Sequence, residues 1–294
     1  MTLPRPVYPN SALMVTRNCT QGMFLLRPDR ETVNAFIYCL AVAAQRHEVD
    51  IMGFTQMSNH LHDAPYDRLG NAPAFYEEFH RLLAKCVNCL RGRWENVFSS
   101  KQTSVVRLET REDVINKLVY IATNPVKDGL VARVDDWPGA NGFRALVTGE
   151  VLTATRPKHF FSERGTMPAT ITLKVGIPPE LGPADEIIAE VERRVADVER
   201  EHAGKPVLGR YAVLRQSWRD SPTSRKPRRT LSPTIAARNL SVRLEAIQRK
   251  REFVAAYRFA RAALLAGSPI PFPHGTYWLR RFMAVAVAPV EQMI

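Results

Sequence analysis

The first half of the chain contains short apolar runs of strand character. Residues 12–16, 49–55 and 104–108 are rich in β-branched and aliphatic side chains, and His60-Leu61-His62 lies at or just inside a further strand. Turn-forming or strongly polar segments separate these runs. The pattern therefore predicts four strands within residues 1–149.

Between the strands, apolar residues recur at helical spacing behind residues that favour the start of a helix. Asp29 predicts an N-cap, Pro73 opens a second helix, and Thr110 with Asp113 forms a capping box at the start of a third. Pro125 is expected to stop that third helix, because proline lacks an N–H and clashes with the preceding turn. Strands interleaved with helices predict a compact α+β domain.

The pattern changes beyond Gly149. Residues 183–203 have the spacing of an acidic amphipathic helix, residues 240–265 return to helical spacing, and residues 217–233 are polar with interrupting prolines. We predict a basic, largely helical region over residues 150–294, with an exposed loop near 217–233, that binds DNA or acts as an accessory to the first domain.

The charge of the chain is concentrated in this second region. The chain has 294 residues with 41 Lys and Arg against 29 Asp and Glu, a net charge of +12, and residues 205–251 hold 13 basic and 2 acidic side chains of that total. Arginine planes and aromatic rings suit phosphates and unpaired bases, although a solvated surface is the alternative. The candidate DNA contacts are Arg210, Arg215, Trp218, Arg225, Lys226, Arg228 and Arg229.

Cysteine usage and hydropathy predict a soluble cytoplasmic protein that is not bound to a membrane. The start of the chain has no apolar signal core, and no run approaches the ~18 apolar residues that span a bilayer. Cys86 and Cys89 form a lone CxxC pair, which we interpret as free thiols because a second pair at zinc-site spacing is missing. Walker, GxGxxG and GxSxG motifs are also missing, so nucleotide-driven and hydrolase-fold functions lack support.

His60-Leu61-His62 is the sharpest local motif. Side chains at positions i and i+2 of a strand point to the same face, so two imidazoles could bind one divalent metal ion from a rigid support. The spacing alone leaves open that both are ordinary polar side chains near a strand end.

Tyr120 and Asn124 form a second candidate pair. They lie four residues apart on the predicted third helix and therefore share a face, which differs from the apolar stripe of that helix. A phenol beside an amide oxygen suits a nucleophile near a metal ion. A surface tyrosine with its ring lying on its neighbours is the alternative, and spacing does not choose between them.

These motifs together resemble a known family. Residues 57–62 (Met-Ser-Asn-His-Leu-His) and 120–131, which begin Tyr-Ile-Ala-Thr-Asn-Pro, resemble the REP-associated tyrosine transposases, a branch of the HUH single-tyrosine transposases. Residues 15–17 and 93–98 fit the same pattern. The resemblance covers residues 10–135 in the right order, and two linked motifs are more specific than either alone.

The resemblance implies a ferredoxin-like α+β core whose antiparallel sheet displays the histidine pair. It implies that His60 and His62 ligate Mg²⁺ or Mn²⁺, that Asn124 completes the metal site, and that Tyr120 attacks the scissile phosphate. The implied activity is metal-dependent nicking and joining of single-stranded or hairpin DNA through a 5′-phosphotyrosine intermediate. The sequence leaves open whether a second copy of the chain is a partner in a homodimer.

The residues after the histidine pair depart from the family pattern. Asp63-Ala64-Pro65 stands where the family has a continuous apolar strand, so either the strand ends early at Pro65 or this copy has drifted. Asp63 is expected to point away from His62 and not to be a ligand. Two other functions stay open at this point, a domesticated DNA-binding protein or repressor without strand transfer, and a metal-dependent phosphoesterase that does not use the tyrosine.

Overall fold

The computed structural model describes residues 4–223 and 233–289, in which a mixed α/β arrangement forms around one main sheet. The strands are β1 (Ser11–Asn18), β2 (Val49–Gln56), β3 (His60–Asp67), β4 (Ser104–Leu108), β5 (Leu152–Thr155), β6 (Thr170–Leu173) and β7 (Ile235–Ala236). The helices are α1 (Arg30–His47), α2 (Ala72–Arg91), α3 (Arg111–Lys127), α4 (Phe143–Thr148), α5 (Ala184–His202), α6 (Arg210–Arg215), α7 (Leu240–Leu265) and α8 (Trp278–Met283).

The main sheet has the strand order β2-β3-β1-β4-β7. The first four strands are antiparallel to their neighbours, whereas β7 pairs in parallel with β4. The four strands predicted from the sequence are confirmed, and β7 was not predicted. Helices α1 and α2 pack against each other on one face of the sheet, and α3 lies on the other face with α5 behind it.

The predicted helix starts are confirmed. The side chain of Asp29 accepts a hydrogen bond from the backbone N–H of Thr32 at 3.0 Å, as an N-cap residue should. Pro73 lies in the first turn of α2. At the start of α3, Thr110 and Asp113 exchange the two reciprocal hydrogen bonds of a capping box.

The prediction that Pro125 ends the third helix is wrong, because α3 continues through Pro125 to Lys127. Proline cannot donate to the carbonyl of Ile121, four residues earlier in the helix. The buried hydroxyl of Thr55 donates to that carbonyl instead, at 2.7 Å. A donor from the neighbouring strand thus replaces the missing helical N–H.

The alternative that β3 ends early at Pro65 is wrong as well. The strand runs to Asp67, and Pro65 lies opposite Ile51 of β2. The pairing of β2 with β3 shifts by one residue between Ile51 and Gly53, which is a β-bulge beside the proline. A local irregularity in the neighbouring strand therefore accommodates the missing ladder donor, and the half of β3 that carries the histidines stays paired on both sides.

The region after residue 149 contains the two predicted long helices, α5 and α7, together with an unpredicted antiparallel hairpin of β5 and β6. Helix α5 is amphipathic and buries Ile187, Val191 and Val195 against α3. Within the described ranges, no helix is both long and apolar enough to cross a membrane. The division of the chain near residue 149 stays a prediction.

Replacing Thr110 with alanine is expected to lower the free energy of unfolding by about 1 kcal/mol, because the N–H of Asp113 and the carboxylate of Asp113 both lose a partner at the start of α3. Urea denaturation measures the change. Thr153→Ala, at an exposed strand position, is the control. Equal effects of the two substitutions would contradict a role for the cap.

Candidate active site

The two histidines stand side by side at the start of β3. Their ring centroids are 4.7 Å apart with an interplanar angle of 83°, so both side chains occupy one face of the sheet as predicted. In the sheet, His60 lies opposite Asn18, and His62 lies between Thr16 and Thr55. Because strands flank His62 on both sides, its backbone position is fixed by two ladders.

Thr16 orients the buried ring of His62. The hydroxyl of Thr16 lies 2.8 Å from Nδ1 of His62, which leaves Nε2 as the other ring nitrogen to make contacts. Nε2 is buried and has no hydrogen-bond partner among the described residues. Burial lowers the pKa of His62 well below its usual value, and the nearby His60 and Lys117 lower it further. The imidazole is therefore neutral at pH 7, the form that binds metal ions.

Helix α3 brings Tyr120 against this ring. The centroids of Tyr120 and His62 are 5.4 Å apart with an interplanar angle of 75°. Burial raises the pKa of the Tyr120 phenol, Asp128 raises it further, and the amide of Asn124 lowers it. The side chain is half-buried, so the predicted separation of Tyr120 from the apolar stripe holds only in part.

Asn124 lies one turn beyond Tyr120 and is buried. Its Oδ1 atom has no hydrogen-bond partner among the described residues, like Nε2 of His62. An unpaired buried polar atom destabilises a fold by about 1–3 kcal/mol, so a bound group that pairs with both atoms would stabilise this position. The structure thus brings His60, His62, Tyr120 and Asn124 together, although β3 and α3 are far apart in the sequence.

The phenol of Tyr120 is flanked by two lysines, neither of which the sequence motifs had indicated. The Nζ atoms of Lys117 and Lys127 lie 5.6 Å and 5.8 Å from the centroid of the Tyr120 ring. The helical spacing could have predicted both lysines, because positions three residues before and seven residues after Tyr120 share its face. Their charges add positive potential around the phenol.

The hydrogen bond from Thr55 to the carbonyl of Ile121, which replaces the helical hydrogen bond missing at Pro125, also lies in this site. Thr55, which donates to the carbonyl of Ile121, is the residue of β2 that pairs with His62. Next along the helix, the side chain of Asn141 donates to the carbonyl of Ala122 at 3.1 Å. Two consecutive carbonyls of α3 are therefore fixed by groups outside the helix, directly after Tyr120.

The side chains that could hold a metal ion at this position are two imidazoles and one amide, those of His60, His62 and Asn124. Across residues 4–223 and 233–289, no group of three or more His, Cys, Asp or Glu side chains could hold a metal ion. Asp63 does not add to the set, because its buried carboxyl lies on the opposite face and accepts a hydrogen bond from Tyr76. Burial raises the pKa of that carboxyl to about 7. The unpartnered atoms of His62 and Asn124 fit a metal ion as the missing partner.

The predicted DNA contacts divide into three groups. Arg210 and Arg215 are exposed on α6. Trp218 was expected in an exposed loop, but its ring is half-buried against the core, with the guanidinium of Arg219 4.6 Å from its centroid. The remaining candidates lie outside the described residues and are Arg225, Lys226, Arg228 and Arg229.

The segment before α6 is attached to the end of α3. The backbone N–H groups of Leu208 and Gly209 each donate at 2.9 Å, to the carbonyls of Gly129 and Leu130. Helix α6 with its exposed arginines therefore begins beside the C-terminal end of the helix that carries Tyr120.

The cysteines of the CxxC pair differ in burial. Cys86 is buried with its Sγ atom 3.8 Å from that of Cys39, whereas Cys89 is exposed and donates to the carbonyl of His159. Within the described residues, all four thiols are free.

The chain matches no family model and no curated protein. A solved structure of a REP-associated tyrosine transposase bound to a REP hairpin has 17% sequence identity and a TM-score of 0.43 to this chain, over 57% of this chain and 96% of that chain. This is a distant similarity.

Proposed function

We propose that this protein is a transposase-like enzyme that nicks and rejoins single-stranded, hairpin-forming DNA with Tyr120 as the nucleophile. One observation carries the proposal. The phenol of Tyr120 lies against the His62 ring at a point where two buried polar atoms, Nε2 of His62 and Oδ1 of Asn124, are unpartnered. The strand order β2-β3-β1-β4, with α1 and α2 on one face, supports the ferredoxin-like core that such enzymes use.

In this proposal His60, His62 and Asn124 hold Mg²⁺ or Mn²⁺. The ion, when bound, supplies Lewis-acid polarisation of a phosphoryl oxygen. Thr16 holds the His62 ring in the orientation that leaves Nε2 available. The neutral state of His62, which follows from its burial, leaves one ring nitrogen without a proton at pH 7, and that nitrogen is Nε2 when Nδ1 donates to the hydroxyl of Thr16.

Tyr120 performs the covalent step. Its phenolic oxygen forms a bond to the phosphorus of one phosphodiester while the bond to the 3′-oxygen breaks, and the departing strand end takes up a proton as a 3′-hydroxyl. The phenol loses its own proton in the same step. A 3′-hydroxyl can reverse the reaction without ATP, because the phosphotyrosine keeps the bond energy. Lys117 and Lys127 offset the negative charge of the phosphate beside the ring.

The assay that tests the proposal combines purified protein, a labelled library of single-stranded hairpin DNA and Mn²⁺, with DNA-linked protein detected on a denaturing gel. We expect a covalent adduct and a free 3′-hydroxyl strand. Cleavage without attachment would assign the nucleophile to water and favour a phosphoesterase. Binding without cleavage or attachment would favour a DNA-binding protein or repressor.

The orientation of His62 gives a test of the metal site in the absence of DNA. Thr16→Val is expected to weaken Mn²⁺ binding about 10- to 100-fold, as loss of a group that orients a ligand does. Thr16→Ser keeps the hydroxyl and should bind Mn²⁺ like the wild-type protein. Manganese binding is measured by electron paramagnetic resonance of the free ion. Equal affinity of the valine and serine variants would remove Thr16 from the site.

The basic segment gives a test of DNA binding. Neutralising Arg225, Lys226, Arg228 and Arg229 together is expected to weaken single-strand binding and to flatten the slope of log K against log salt by up to about 0.7 per lost phosphate contact. Fluorescence anisotropy at several salt concentrations measures both.

The charge-matched control neutralises four exposed side chains elsewhere, Arg144, Lys158, Arg164 and Lys174. If both quadruple variants keep the wild-type slope, the basic segment is a solvated surface. If both quadruple variants change the slope equally, single-strand binding depends on the net charge of the protein and not on the position of the four basic side chains.

A further inference from the structure

A cavity of about 730 Å³ lies on the other face of the main sheet. Its floor includes Ser11 and Leu13 of β1 and Arg107 of β4, which share a face with Asp67 because the strands alternate. Helix α2 contributes Tyr76, on the side where Asp63 points, whereas His62 and Tyr120 lie on the opposite side. The cavity is therefore separate from the candidate active site.

The carboxylates of the cavity wall all have partners. Glu109 is almost completely buried and pairs with Arg107 at 3.2 Å and with Arg249 at 2.8 Å. Asp67 accepts hydrogen bonds from backbone N–H groups at the start of α2. Glu77 pairs with Arg281. Arginine side chains and backbone N–H groups of the protein thus already offset the negative charge of the wall.

Two cations of the wall have no carboxylate partner within the part of the chain that the structure describes. Arg5 donates to the backbone carbonyl of Thr103 at 2.8 Å, and Lys250 donates to the hydroxyl of Thr234 at 2.7 Å. Burial lowers the pKa of both, and Arg5 lowers the pKa of Lys250 further, because the two charges lie near each other. Two half-buried cations that face one cavity, with only neutral oxygens as partners, provide positive potential for an anion.

The size and walls of the cavity indicate more than a bare ion. Small-molecule sites of about 300–1,000 Å³ hold drug-sized ligands, and inorganic phosphate would fill little of this space. Tyr8, Tyr76 and Trp278 add ring surfaces to the wall, with the guanidinium of Arg107 5.2 Å from the centroid of Tyr8. Cations for a phosphate and rings for a planar base match one ligand class.

We propose that this cavity binds a nucleotide, with its phosphate held by Arg5 and Lys250 and its base against the aromatic wall. The ligand is either a free mononucleotide or an unpaired nucleotide of a DNA strand, since both present a phosphate next to a base. The proposal does not depend on the nicking activity.

Isothermal titration of the full chain with deoxyadenosine 5′-monophosphate tests the site. The wild-type protein should bind this probe more tightly than deoxyadenosine or inorganic phosphate. Arg5→Gln and Lys250→Gln should each weaken binding about tenfold or more, because each removes one charged hydrogen bond while glutamine can still donate to the local oxygen. Lys174→Gln, at an exposed position outside the cavity, should bind like wild type.

Competition with a single-stranded oligonucleotide then distinguishes the two sources. Displacement of the mononucleotide by the oligonucleotide from the wild-type protein assigns the site to a nucleotide of a DNA strand, and simultaneous binding assigns it to a free nucleotide. Absence of binding at millimolar mononucleotide, equal binding of deoxyadenosine, or full binding by correctly folded Arg5→Gln and Lys250→Gln proteins would each overturn the proposal. Circular dichroism and thermal unfolding establish that the variants fold.

Discussion

Tyr120→Phe is expected to bind hairpin DNA like the wild-type protein and to form no covalent adduct. Phenylalanine keeps the ring that packs against His62 and lies near Lys117 and Lys127, and it removes only the phenolic oxygen, which is the proposed nucleophile. Loss of a nucleophile lowers the rate of the covalent step by about 10³-fold or more. Adduct formation on a denaturing gel and binding by fluorescence anisotropy, measured on the same preparation, separate the two effects.

Tyr211→Phe is the matched control, because Tyr211 is 78% exposed at the start of α6 and lies in the basic region. We expect it to form the adduct at the wild-type rate. An adduct that persists in Tyr120→Phe would place the nucleophile on another tyrosine and would refute the proposed role of Tyr120.

His60→Ala and His62→Ala are each expected to abolish Mn²⁺ binding and DNA cleavage while single-strand affinity stays close to that of the wild-type protein. Each substitution removes an imidazole from the proposed ligand set, whereas DNA affinity is assigned to the basic region. We expect cleavage to fall by about 10²-fold at least, since loss of groups that stabilise transition-state charge has effects of this size.

The two variants differ in what else they change. His62 is buried and its removal leaves a space in the sheet, whereas His60 is only half-buried, so thermal unfolding is measured for both. His202→Ala, which removes a histidine that contacts the carbonyl of Val198 on α5, controls for the loss of an imidazole. Cleavage and Mn²⁺ binding that survive in folded His60→Ala and His62→Ala proteins would refute the metal site.

Much of the local structure could be predicted because it depends on neighbours in the sequence. The caps at Asp29 and Thr110 use donors three residues away, and the shared face of His60 and His62 follows from strand geometry alone. The same holds for Tyr120 and Asn124 on one helix face. Interactions of this range are specified by spacing.

The meeting of β3 with α3 could not be predicted from spacing, because it depends on how the sheet and helix pack. The contact of Thr16 with His62 could not be predicted, because it depends on the register of β1 against β3. The predicted helix end at Pro125 and the alternative of an early strand end at Pro65 were wrong for a related reason. The rule for proline describes an isolated element, whereas the bulge beside Pro65 and the hydroxyl of Thr55 near Pro125 come from neighbouring strands.

The carbonyl of Ile121, accepting its hydrogen bond from Thr55, constrains the position of α3 along its own axis. One residue of a helix corresponds to a translation of about 1.5 Å, and a slide of that size would separate the buried carbonyl from its donor at a cost of about 1–3 kcal/mol. Misplacement of a reacting group by about 1 Å can slow catalysis about 100-fold. Because Thr55 is the strand neighbour of His62, the main chain of α3 is aligned with the strand that carries the imidazoles. The hydrogen bond from Thr55, which takes the place of the donor that Pro125 lacks, thereby holds Tyr120 in position to within less than the rise of one residue.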